Sequence, residues 1–114
     1  MTTSNFPSLL RICLFLLLAC CWLTAISAQA QKGREATALS YIARGNEWYS
    51  KGEYARAEAD FTLAIATDPN QANAYYNRGI TCHQLGKLNE ALADFDRALK
   101  LNPSSNSRLR AKSL

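Results

Sequence analysis

Residues 38–71, ALSYIARGNEWYSKGEYARAEADFTLAIATDPNQ, and residues 72–105, ANAYYNRGITCHQLGKLNEALADFDRALKLNPSS, are one pattern written twice. Shifted by 34 positions, the first segment meets the second with eleven identities: Ala38/Ala72, Tyr41/Tyr75, Arg44/Arg78, Gly45/Gly79, Gly52/Gly86, Ala57/Ala91, Ala59/Ala93, Asp60/Asp94, Phe61/Phe95, Ala64/Ala98 and Pro69/Pro103. Self-similarity at a fixed period of this length marks a stacked repeat, which acts by presenting a surface.

Apolar and small residues recur at helical spacing in two blocks per unit, so each unit reads as helix, turn, helix. The expected helices run from Ala38 to Ser50, Tyr54 to Ala66, Ala72 to Gln84 and Leu88 to Lys100. Gly52 and Gly86 fit the left-handed backbone that closes a first helix, and Pro69 and Pro103 stop the second ones. Gly45 and Gly79 lie inside helices, where each costs about 1 kcal/mol relative to alanine. Close helix approach is expected to offset that cost, with Ala57 and Ala91 facing the glycines and Phe61 and Phe95 as wedges. Arg44 and Arg78 recur at the period and read as solvating residues.

The ordered set Tyr41, Gly45, Trp48, Ala57, Phe61, Ala64, Pro69, repeated as Tyr75, Gly79, Cys82, Ala91, Phe95, Ala98, Pro103, resembles the tetratricopeptide repeat, with Cys82 where an aromatic is usual. The expectation is an all-α stack of helix-turn-helix repeats. Its parts are a short leader at 31–37, repeats at 38–71 and 72–105, and a capping helix with a basic tail at 106–114. Beyond Pro103 the phase continues, with Ser104 in the N-cap place of Asn70, Leu109 34 after Tyr75 and Lys112 34 after Arg78. That reads as two repeats and the opening helix of a third, whose task is to cover the end of the second.

Ahead of the repeats, a basic residue, Arg11, precedes an apolar run from Ile12 to Ile26, interrupted at Thr24 and followed by Ser27, Ala28, Gln29 and Ala30. This order describes a secretory signal peptide over residues 1–30, cleaved after Ala30, which would make the mature protein periplasmic or secreted. Two alternatives stay open: a membrane anchor through residues 12–26, or lipid on Cys20 after Leu17, Leu18 and Ala19.

Cys13, Cys20 and Cys21 fall in the leader, which leaves Cys82 alone in the repeats, with no disulfide partner and no zinc-ligand spacing. Residues 31–105 carry nine basic and nine acidic residues, so the net charge of +4 arises at the ends, from Arg11, Arg108, Arg110 and Lys112. Such charges do not make a nucleic-acid patch. Catalytic, cofactor and metal sites are not expected. His83 is the single histidine, adjacent side chains such as Cys82 and His83 diverge by about 100° on a helix, and no phosphate-binding motif occurs.

The resemblance implies a concave surface lined by the first helix of each unit, holding an extended peptide or a partner helix. Its residues here are Leu39, Ile42, Ala43, Asn46, Tyr49 and Ser50, and then Asn73, Tyr76, Asn77, Ile80, His83 and Gln84, joined by Arg110 from the tail. Asn46 and Asn77 stand where repeats that clamp acidic chaperone tails carry asparagines. The basic partners of that clamp are missing, since Ile42, Ser107 and Ala111 replace them. The functional expectation is therefore a non-catalytic protein-interaction module. A structural subunit that forms homo-oligomers through its open repeat ends, or a membrane-anchored scaffold, is the alternative.

Overall fold

The computed structural model describes residues 6–104, which form four α-helices and no strand. They are α1 (Phe6–Ser50), α2 (Tyr54–Thr67), α3 (Ala72–Gln84) and α4 (Leu88–Leu101). The expected third first-type helix and Arg110 lie outside the described residues. The helix expected to begin at Ala38 begins instead at Phe6. Residues 31–37 contain no proline, and Arg34, Glu35 and Ala36 favour helix, so nothing local stops the chain turning before Ala38.

The chain divides into two units, Met1–Gly33 and Arg34–Leu114. In the first, every residue from 8 to 33 is exposed, with Phe15 and Trp22 each 70% accessible. By length and composition α1 could cross a membrane. Its hydroxyls are already satisfied within the helix: Thr24 Oγ1 donates to the Cys21 carbonyl at 2.9 Å, and Ser27 Oγ to those of Leu23 and Thr24 at 3.1 and 2.9 Å. Back-bonding of this kind lets such residues sit in apolar surroundings.

The second unit holds the repeats. α1 ends at Ser50 with Gly52 at φ 77°, and α3 ends at Gln84 with Gly86 at φ 79°. The amide of Glu53 reaches back to the Trp48 carbonyl at 2.9 Å and that of Gly52 to Tyr49 at 3.0 Å. Lys87 to Cys82 at 2.9 Å and Gly86 to His83 at 3.1 Å repeat the geometry. Both turns thereby use up carbonyls a helix end would leave open, and a side chain with a Cβ would be strained at either glycine.

α2 stops at Thr67, and Asp68 is extended ahead of Pro69. Asp68 then holds the connection by accepting from the Asn70 amide at 3.1 Å and from Gln71 Nε2 at 2.8 Å. Asn70 is thus not the cap expected from sequence. The residue before α3 is Gln71, with no side-chain cap, and Asp68 does the positioning because its carboxylate accepts from two donors at once.

The core consists of Ala38, Ile42, Ala57, Phe61, Ala64 and Ala74, with Tyr41, Trp48, Tyr49 and Ile65 packed against it. Phe61 lies so close to Gly45 that a Cβ there would stand 2.6 Å from its Cε1, and Phe95 lies on Gly79 with a corresponding 2.8 Å. The close approach inferred from the glycines is therefore that of a phenylalanine ring on bare backbone. Burying one such ring is worth about 1.5–3 kcal/mol, enough to offset the glycine.

Candidate functional site

One bidentate ion pair joins the two helices of each repeat. Arg44 Nε and Nη2 donate to Asp60 Oδ2 and Oδ1, both at 2.7 Å, and Arg78 does the same to Asp94 at 2.8 and 2.7 Å. Arg44 also lies 5.4 Å from the Tyr41 ring centroid, and Arg78 5.9 Å from that of Tyr75. These arginines are clamps between first and second helix, not the solvating residues expected. An isolated buried carboxylate such as Asp60 or Asp94 would be costly, and the planar guanidinium satisfies both of its oxygens. The signal for them was present, because arginine and aspartate both recur at 34 and stand 16 apart in each unit. The hydrogen bond from Arg44 holds the Asp60 carboxyl below its usual range, and the Asp60 contact raises Arg44.

The face expected to carry recognition is assembled in part. Asn77 Nδ2 donates to Asn46 Oδ1 at 3.0 Å and ties α3 to α1. Each amide keeps a second polar group, the Asn46 NH2 and the Asn77 carbonyl, a donor and an acceptor side by side as a polypeptide backbone requires. Asn73, Tyr76 and His83 are exposed on α3, Tyr49 and Ile80 are half-buried, and Leu39, Ala43, Ser50 and Gln84 are exposed. Tyr76 packs against Phe95 at 5.8 Å between ring centroids, while Tyr49 packs against Tyr54 at 5.2 Å.

Ile42 is a correction. It is 7% exposed and belongs to the core with Ala38 and Ala74, so it cannot line an open surface. The cause is tertiary: α3 lies over this position, whereas Tyr76, the residue 34 further on, remains 45% exposed.

Beside the turn after α3, Glu58, Cys82 and Glu90 bring ligand atoms within 4.8 Å of one another. Lys87 Nζ already contacts both Glu58 oxygens at 2.9 and 3.0 Å, which is the part a cation would play. The hydrogen bond to Glu58 raises the Lys87 ammonium. Burial, reinforced by the nearby Glu58 charge, pushes the Cys82 thiol up and keeps it protonated, so it is a poor nucleophile. His83, its neighbour in sequence, is exposed, whereas Cys82 is buried.

Comparison with known proteins agrees with this geometry. The tetratricopeptide repeat model matches residues 72–105, and a second TPR repeat model matches residues 45–86. The chain is 39% identical over 67 residues to mouse DnaJ homolog subfamily C member 7, covering 59% of this chain but 14% of that protein. It is 34% identical over 61 residues to Hsp70-Hsp90 organizing protein 1 of Glycine max, covering 54% of this chain and 11% of that one. The solved second TPR of Spaghetti (RPAP3), bound to the HSP90 peptide SRMEEVD, superposes with a TM-score of 0.64 at 33% identity, over 67% of this chain and 69% of that one. The two repeat models together match residues 45–105, and with the same helix-pair architecture in the solved neighbour, the paired helices of this chain are tetratricopeptide repeats.

Proposed function

We propose that the chain is a non-catalytic protein-interaction module whose first-type helices hold an extended polypeptide, and that its N-terminal segment directs it into or across a membrane. The Asn46–Asn77 pair carries the reading. It offers a donor and an acceptor from two successive repeats on one face, next to exposed Tyr76, and this suits main-chain amides better than a metabolite or a phosphate. The similarity to a repeat domain that holds an HSP90 peptide supports a polypeptide ligand.

An acidic C-terminus is a poorer fit. Ile42 is buried where that clamp needs a lysine, and Ser107 and Ala111 occupy the places of its other cations. The ligand is instead read through its backbone and through aromatic contact.

Fluorescence anisotropy with extended peptides, including SRMEEVD as free acid and as C-terminal amide, tests this on the full chain. Expected is binding that ignores amidation and is lost in Asn77→Ala and Tyr76→Ala with the helical circular dichroism unchanged. Loss of helicity along with binding would make those residues structural, and acid-only binding would restore the carboxylate clamp. For the leader, intact-mass measurement separates cleavage after Ala30, lipid on Cys20 and retention of residues 12–26 as an anchor.

A further inference from the structure

The contacts that seat the second repeat on the first also predict what fits its own open end. Ala74 of α3 is fully buried against the first repeat, and Asn77 reaches Asn46. Arg78 Nη1 donates to Thr62 Oγ1 at 3.3 Å, and Cys82 Sγ lies 3.9 Å from Glu58 Oε1. Shifting the first-repeat partners forward by 34 gives Ile80, Asp96 and Leu92 on the open end of the second repeat. Shifting the α3 residues back by 34 gives Ser40, Ala43, Arg44 and Trp48 on α1.

The resulting pairs match in chemistry. Ala43 meets Ile80, apolar on apolar, where Asn77 meets Asn46 inside the chain. Trp48 meets Leu92, where Cys82 meets Glu58. Arg44 meets Asp96, an ion pair where Arg78 makes only a hydroxyl contact. Ser40 is small enough for the place of buried Ala74. One place is neutral, because Glu53 takes the position of Lys87 and stays at the solvent rim.

We propose that this protein stacks head to tail, the outer face of α1 in one copy seating on the α4 end of the next, by the same operator that relates its two repeats. Among the described residues both faces are open: Leu88 and Leu92 are 58% and 62% exposed on α4, and Ser40, Ala43 and Arg44 are exposed on α1. Apolar residues at 88, 92, 95 and 99 form one helical stripe there. Residues 106–114 share the phase and would bring Ala111 and Lys112 to the places of Ala43 and Arg44, but Arg108 to that of fully buried Ala74, where a second copy brings the small Ser40. The contact is heterologous, so it extends the array rather than closing a dimer, and it carries the recognition face beyond two repeats.

Two blocked variants of the full chain in detergent micelles under reducing conditions test the proposal. Ala43→Glu disables the α1 face, Leu92→Glu disables the α4 face, and both side chains are exposed, so circular dichroism should match the wild type. In sedimentation velocity, the wild type should form a concentration-dependent series and each variant alone a single copy. A 1:1 mixture of the two should form pairs and nothing larger. Association of Ala43→Glu by itself would replace the proposal with a two-fold α4 contact. Association of both variants as in the wild type would move it to the leader, and a single-copy wild type at every concentration would overturn it.

Discussion

The two repeats share their architecture but not their burial. Phe61 in the first is 1% exposed beneath α3, while Phe95, its counterpart in the second, is only partly buried. Position 42 is core and position 76 is surface, and Glu58, bound by Lys87, faces a neighbour where Leu92 faces solvent. A repeat residue therefore has no fixed role. Its role depends on what packs over it, and the same side chain can be structural in one unit and exposed in the next.

Substituting the matched phenylalanines should break the symmetry most visibly. Phe61→Ala is expected to cost about 3–5 kcal/mol, and Phe95→Ala clearly less, because Phe95 loses fewer buried contacts. Urea unfolding followed by circular dichroism measures both, and equal losses would mean that the second repeat is as enclosed as the first.

The ion pairs should rank the other way. The Arg78 side chain is 23% exposed and that of Arg44 53%, so Asp94→Asn strands the more buried guanidinium. It should cost about 1–3 kcal/mol, with Asp60→Asn costing less. The Asp60 pair also makes stability depend on pH. Because its folded carboxyl lies below the ordinary value of about 4, the stabilisation is complete above that value and is lost as pH falls through the depressed one. Unfolding midpoints between pH 7 and pH 3 should fall less steeply in Asp60→Asn than in the wild type.

Glycine substitution sharpens the contrast further. Gly45→Ala forces a Cβ against an immobile Phe61 and should cost about 1–2 kcal/mol net of its helix-propensity gain. Gly79→Ala meets Phe95, which is only partly buried and has room to shift, and should be near neutral. Thermal unfolding of the two variants decides it. The smallest effect is expected for Asn77→Ala, about 0.5 kcal/mol or less in stability because its bond to Asn46 is exposed, so any large loss of peptide binding would then be recognition.

Much of this was legible in the chain itself. The period of 34, the glycines at 52 and 86 and the prolines at 69 and 103 specify helices and turns because those effects are local: a positive φ, a missing amide, a face repeating every 3.6 residues. The candidate face was legible only in part. Asn46, Tyr76 and Asn77 lie on the first-type helices, and Asn46 and Asn77 touch. Ile42 was misplaced because burial depends on a helix more than 30 residues away, which no local pattern reports. The Arg44–Asp60 and Arg78–Asp94 clamps were written in the sequence as a pair of pairs, but each residue alone looks like surface charge.

By itself, then, the amino-acid sequence determined the helix-turn-helix unit, its duplication and the apolar N-terminal stretch, all consequences of side-chain periodicity and backbone preference. Only the tertiary structure decided which copy of each position is enclosed and which charges are paired. Those outcomes follow from one helix lying on another, and burial is a property of the neighbour as much as of the residue.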